Sequence, residues 1–263
     1  MIDTHCHLSF PALEGRLDEI LAACHAAGVR GLITIATTSS GSRENLEIAR
    51  RCDSVWCSAG VHPLYADEPI DWEEIRVVAT DPLCVAWGEL GLDRFHKKPP
   101  FAVQRTVLEE QLARIEGWSR SGLEKPVVLH CREAYSDLLP ILEASSLPPE
   151  RFVFHCFTGT IEEARAALDF GAMLSFTGVV TYRNAAEVAE AARVVPDDRI
   201  MVETDAPYLS PEPLRGSHPN LPQNVVHTAR FLAELRGVDA GSFERILDGN
   251  AERFFGISLP GPE

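Results

Sequence analysis

Eight short apolar runs alternate with longer amphipathic stretches along the chain, and this rhythm constrains the fold more than any other feature. The strand-like runs are residues 1–4, 31–36, 55–59, 84–87, 127–129, 152–154, 172–175 and 200–202. Helical patterns lie between them at 13–27, 42–52, 72–79, 101–121, 134–144, 161–170 and 184–194, and two more follow at 223–236 and 240–255. Strands alternating with helices build a parallel sheet, and strands buried on both faces read as continuous apolar runs. No Gly-rich phosphate loop follows the first run, which argues against an open dinucleotide-binding sheet. Eight such units in 263 residues predict a single (β/α)8 TIM barrel over residues 1–263.

The formal net charge is −15. A surface this acidic argues against broad, non-specific nucleic-acid binding, which is normally met by Lys and Arg. It does not exclude a nuclease, because bound divalent cations can supply the positive charge that a phosphodiester requires. The seven cysteines (6, 24, 52, 57, 84, 131 and 156) form no disulfide framework and are expected to be reduced, which points to the cytoplasm. No apolar run approaches the ~18 residues of a membrane span, and no signal-like stretch precedes the first motif at residue 3, so no membrane association is expected.

The chemistry-bearing residues sit at strand ends. The first run leads into His5-Cys6-His7, and strand alternation puts residues 5 and 7 on one face. The fourth is expected to end at Glu89, the fifth at His130 and the sixth at His155, and the eighth leads into Glu203-Thr204-Asp205. In a barrel these ends share one mouth. His5, His7, Glu89, His130, His155 and Asp205 are therefore expected to converge as metal ligands. Six ligands exceed what one catalytic ion takes while keeping an open position, so two divalent ions sharing a bridging carboxylate are expected, with Mg, Mn or Zn all compatible. Cys6, Cys131 and Cys156 have the opposite parity and are expected in the core. His25 and His227, on helix faces, are read as structural.

The chain resembles the TatD-like metal-dependent deoxyribonucleases of the amidohydrolase-like barrel superfamily. The resemblance rests on Ile2-Asp3-Thr4-His5-Cys6-His7-Leu8, Gly60-Val61-His62-Pro63, Gly88-Glu89-Leu90-Gly91-Leu92-Asp93, His130-Cys131-Arg132-Glu133-Ala134, His155-Cys156-Phe157-Thr158-Gly159 and Glu203-Thr204-Asp205-Ala206-Pro207-Tyr208-Leu209. The ending Asn250-Ala251-Glu252-Arg253-Phe254-Phe255-Gly256 is also similar. The resemblance implies that His5, His7 and Asp205 hold one ion, that His130 and His155 hold the other, and that Glu89 bridges them. It also implies a DNA substrate, single-stranded or at 3' ends, cut by 3'-5' exonuclease action; no obligate protein partner is expected. One loop departs: an extra residue separates Arg215 from Asn220-Leu221-Pro222, which bears on substrate preference.

Asp205 and Glu89 are the candidate catalytic carboxylates, Asp205 as general base towards a metal-activated water. His62 is a candidate phosphate contact or proton donor to the leaving oxygen, with a structural histidine as the plain alternative. Arg132 and Arg215 are candidate phosphate contacts. Asp93, Asp3 and Glu203 are expected to support ligands rather than bind metal. The rival readings are a D-aminoacyl-tRNA deacylase or another amidohydrolase on the same scaffold, and a non-catalytic barrel. Many two-metal relatives bridge their ions with a carboxylated Lys at the end of strand four. Here that position is Glu89, and Lys125 lies before strand five. A non-catalytic barrel is disfavoured because all six ligand positions are filled.

Overall fold

The computed structural model describes residues 1–259. Eight parallel strands pair in chain order: β1 (Ile2–Cys6), β2 (Gly31–Thr34), β3 (Val55–Ala59), β4 (Cys84–Asp93), β5 (Val127–Arg132), β6 (Phe152–Phe154), β7 (Met173–Phe176) and β8 (Ile200–Val202). The two ends of the sheet meet just beyond β1 and β8, where Cys6 bridges Ala206, His7 N–H donates to the Ala206 carbonyl at 2.8 Å, and Asp205 N–H donates to the His5 carbonyl at 2.8 Å. The result is the expected (β/α)8 barrel. Its outer layer is α1 (Leu17–Ala26), α2 (Ser39–Arg50), α3 (Trp72–Ala79), α4 (Phe101–Arg120), α5 (Tyr135–Glu143), α6 (Ile161–Phe170), α7 (Ala186–Val194), α8 (Val225–Arg236) and α9 (Ala240–Phe255).

Local chemistry explains where the element bounds differ from the sequence pattern. The first helix starts at Leu17 rather than 13, because Gly15 takes a left-handed φ of 72° and Leu13 stays behind as a buried plug. The second starts at Ser39 rather than 42, because Thr38 caps it by accepting the Gly41 N–H at 3.0 Å. The largest difference is β4, which runs ten residues instead of four. Its second half, Gly88-Glu89-Leu90-Gly91-Leu92-Asp93, carries two carboxylates and two glycines and so does not read as an apolar run.

A plug of side chains from the strands, including Ile2, Ile33, Val85, Val128, Val153, Met173 and Met201, fills the N-terminal half of the barrel against Phe255 and Ile257. A second, larger core lies between strands and helices, with Trp87, Phe152, Phe154 and Phe176 fully buried. The barrel interior is therefore filled by side chains below its C-terminal mouth.

Two bulges shape that mouth. Between the pairs Trp87↔Val127 and Leu90↔Leu129, β4 spends one more residue than β5. Between Asp3↔Leu32 and Cys6↔Thr34, β1 does the same against β2. A bulge re-aims side chains and is common beside functional sites. These two hold Glu89 and His5. Gly91 lets β4 and β5 run close together: at φ 154°, a Cβ on this residue would meet the His130 carbonyl oxygen at 1.9 Å. Gly91→Ala is expected to force β4 away from β5 and to lower the melting temperature on the order of 10 °C, since steric strain of this kind costs about 3 kcal/mol. Thermal unfolding followed by circular dichroism checks this, and an unchanged midpoint would contradict it.

Candidate metal centre

Glu89 lies across the barrel mouth, 2% exposed, with its two oxygens facing different groups. Oε2 is 3.2 Å from His5 Nε2. Oε1 is 2.6 Å from His155 Nε2, 2.8 Å from His130 Nδ1 and 3.4 Å from His62 Nε2. On the Oε2 side, His5 Nε2 and His7 Nε2 are 3.3 Å apart, and Asp205 Oδ1 lies 3.2 Å from His7 Nε2 and 3.6 Å from His5 Nε2. All six residues expected as ligands are thus brought to one place.

The outer ring nitrogens explain why the inner ones point inwards. His7 Nδ1 donates to the Ile35 carbonyl at 3.0 Å, His130 Nε2 to Asp93 Oδ2 at 3.1 Å, and His155 Nδ1 to Glu203 Oε1 at 3.2 Å. Each partner is an acceptor, so each fixes the ring hydrogen outside and leaves a lone pair facing the centre. His5 Nδ1 is buried with no hydrogen-bond partner, and its Nε2 joins the same cluster. Lone pairs at 3.3 and 3.4 Å, packed around a buried carboxylate, repel one another unless cations or protons lie between them. The donor set, imidazole nitrogens and carboxylate oxygens, fits a divalent transition metal or Mg.

His62 differs. Its Nδ1 accepts the Leu64 N–H at 3.0 Å, so the ring hydrogen of the neutral form sits on Nε2, facing Glu89 and His130. Burial first, and then the neighbouring His130, push its pKa down to about 4 against the pull of Glu89. At neutral pH it is a neutral N–H donor aimed into the centre. Although it lies within 4.8 Å of Glu89 and His130 atoms, it offers no free lone pair to a metal. Glu203 also comes within 4.8 Å of His5 and His155. Its oxygens are already used: Oε1 accepts from His155 and from Cys156 N–H at 2.6 Å, and Oε2 accepts from Ser175 Oγ at 2.6 Å. It holds His155 in place. Asp3 accepts from Thr204 N–H and Oγ1 at 2.9 and 2.6 Å, tying β1 to the end of β8, and burial pushes its pKa up to about 8.

Charge follows the same geometry. Burial alone would raise the pKa of Glu89, but His155, His62 and His5 outweigh it and hold the carboxyl well below its usual range. Asp205 is likewise lowered against burial, by its hydrogen bond to His7 and by the charges of His5, His7 and His155. Burial pulls the other way on His155, yet Glu89 and Glu203 raise its pKa well above normal. Burial also opposes protonation of His130 and His7, but the hydrogen bonds to Asp93 and Glu89, and to Asp205, raise both. Protons and cations therefore compete for the lone pairs of His7, His130 and His155.

The centre opens into a cavity of about 790 Å3. Four residues on its wall, Glu133, Cys156, Asp205 and Leu209, hold left-handed backbone angles of 45–57° that non-glycine residues seldom adopt. Asp205 is therefore aimed by its backbone and not by strand alternation. Cys156 departs from the expected core position for the same reason: it lies past the end of β6, half-buried on the cavity wall. Cys131 is buried yet also reaches the wall, and Cys6 is fully buried. Glu89 departs from the expected strand end, sitting inside β4 at the bulge.

Arg132 lines the cavity with its guanidinium 3.8 Å over the Phe95 ring. Arg215 is not brought to the wall; it lies 4.0 Å over the Tyr182 ring and 3.9 Å from Glu212. The departing loop is tied down by Asn220, whose Nδ2 donates to the Tyr208 carbonyl at 2.6 Å and to the Thr204 carbonyl at 3.3 Å. Sequence reasoning missed His96, whose Nδ1 lies 2.9 Å from Asp93 Oδ2. Nothing in its local pattern separates it from a solvated histidine.

The family model described as TatD related DNase matches residues 2–256. The chain is 37% identical to the metal-dependent hydrolase YcfH of Escherichia coli (strain K12), described as uncharacterized, over 98% of this chain and 96% of that one. It is 33% identical to the 3'-5' ssDNA/RNA exonuclease TatD of the same strain, over 98% of this chain and all of the other. The crystal structure of YjjV, a TatD homologue from E. coli K12, superposes with a TM-score of 0.90 at 29% identity, each chain 98% covered.

Asp93 carries no lone pair into the centre but fixes the hydrogen of His130. Asp93→Asn is expected to weaken metal binding roughly 10–100-fold, read by competition with a chromogenic chelator. The pH dependence has a definite sign. His7, His130 and His155 have raised pKa values, so protons compete for their lone pairs increasingly as pH falls, and apparent metal affinity should decrease on acidification through the histidine range. Affinity independent of pH between 5 and 8 would contradict the lone-pair arrangement.

Proposed function

The chain is a metal-dependent hydrolase belonging to the TatD-related DNase family, and from that membership we propose that it cleaves phosphodiester bonds of DNA, removing nucleotides from single-stranded 3' ends. The observation that carries the reading is the division of Glu89 between two nitrogen groups, Oε2 towards His5 and Oε1 towards His130 and His155. Two divalent ions would fit such a division, one held by His5, His7 and Asp205 and one by His130 and His155, with Glu89 shared between them. Such ions, when bound, would supply a water nucleophile at neutral pH and neutralise charge on the phosphoryl oxygens.

The chain's own groups do the rest. Asp205, 15% exposed and facing the cavity, is the acceptor for the proton of the attacking water. Its lowered pKa keeps it ionised at neutral pH. His62 presents Nε2–H to an oxygen of the bound phosphodiester and so orients it. Asp93 and Glu203 keep the ligand rings in the required tautomer. Arg132, the one Lys or Arg on the cavity wall among the described residues, is a phosphate contact. Seven unpaired cysteines support a reducing, cytoplasmic location. Among the described residues no helix is long and apolar enough to cross a membrane.

A 5'-labelled single-stranded oligonucleotide incubated with Mg or Mn should shorten stepwise from its 3' end, and chelation should stop the reaction. Asp205→Asn should lower kcat by about 10²–10⁴. A metal-loaded preparation that leaves DNA intact would overturn the nuclease reading and direct attention to aminoacyl-tRNA esters and amides.

A further inference from the structure

The wall of the mouth carries few groups that could grip a polyanion by charge. Arg132 stands there against the carboxylates of Glu89, Asp93, Glu133, Glu163 and Asp205. Rings are plentiful by contrast. Of the five exposed large apolar side chains among the described residues, the two aromatic ones, Phe95 at 49% and Tyr208 at 48%, both stand at this end of the barrel. Phe95 follows β4 and Tyr208 follows β8, strands four apart in an eight-stranded ring, so the two residues stand on opposite sides of the mouth; Tyr208 lines the cavity itself, and Phe95 packs against Arg132, which does.

Each ring is held in place. Tyr208 meets Phe10 edge-on at 6.2 Å, and Phe10 stacks on the His7 ring at 4.5 Å with 15° between planes. On the outer side, His218 stacks on Tyr208 at 6.4 Å. A line of aromatic planes thus runs from a ligand histidine outwards. Across the mouth, Phe95 is backed by the Arg132 guanidinium and by the His96 edge at 5.0 Å. Exposed rings fixed beside an acidic centre suit planar, uncharged faces, and an unpaired base offers one.

We propose that Phe95 and Tyr208 are stacking platforms for the unpaired bases of a single-stranded nucleic acid, and that they, not phosphate contacts, supply most of the strand's grip. This deepens the nuclease reading and rests on it for the identity of the strand. Duplex DNA keeps its base faces covered and cannot use the platforms, so they also select single strands. The grip should be only weakly sensitive to salt, because few phosphates are neutralised and few counterions released.

The test is binding of fluorescein-labelled oligothymidylate by anisotropy, in the Asp205→Asn background with Mn present so that the strand survives. Phe95→Leu and Tyr208→Leu should each raise Kd roughly 10-fold, and Phe95→Trp and Tyr208→Phe, which keep a ring, should stay within about 2-fold of the parent. The slope of log K against log salt should be shallower than about −1.5, equivalent to roughly two phosphates at ~0.7 each. Leucine variants that bind like the parent, a slope near −3 or steeper, or a parent that does not bind oligothymidylate would each overturn the proposal. Cleavage is scored separately on wild-type protein. Ring-dependent binding without cleavage would sink the nuclease reading alone, and cleavage without ring dependence would sink the platforms alone.

Discussion

One buried carboxylate organises this molecule. Glu89 sits inside the barrel mouth among His5, His62, His130 and His155, where an isolated ion would be costly, and it is kept charged by the nitrogens around it. The surrounding groups can be read as what that placement demands. The bulge in β4 brings the side chain inwards, Gly91 lets β5 approach closely enough for His130 to reach it, and Asp93 and Glu203 turn the histidine rings so that lone pairs face it. The cluster is a poor arrangement for a metal-free protein and a good one for a protein that binds divalent cations.

The division of labour within the barrel follows from the same constraint. The N-terminal half holds an apolar plug packed for stability. The C-terminal half collects the bulges and the left-handed residues Glu133, Cys156, Asp205 and Leu209. Local strain of this kind persists only where surrounding structure over-determines it, and the closed barrel below supplies that support.

Net charge and substrate class are reconciled at the mouth. A chain with charge −15 is a poor candidate for electrostatic capture of DNA. Cations held at the centre would answer this for the scissile phosphate, and the proposed stacking on Phe95 and Tyr208 would answer it for the rest of the strand, since stacking is indifferent to the charge of the surface around it.

The eight-unit rhythm, and with it the barrel, was legible because helix and strand periodicities are local and repeat along the chain. The identities of His5, His7, Glu89, His130, His155 and Asp205 were legible because a barrel sends every strand end to one mouth, so position in the rhythm already implies convergence. Other features were hidden. The length of β4 was masked by its carboxylates and glycines, and Cys156 escaped its expected burial because strand parity stops at the strand's end. Arg215 and Arg132 look alike in sequence, yet one lies over Tyr182 away from the cavity and the other stands on its wall. The sequence by itself determined that the six candidate ligand side chains converge at the mouth. Only the tertiary structure decided which way each lone pair and ring faces there, because bulges, left-handed turns and hydrogen bonds such as Leu64 N–H to His62 Nδ1 or Asp93 to His130 are set by contacts that residue order does not encode one position at a time.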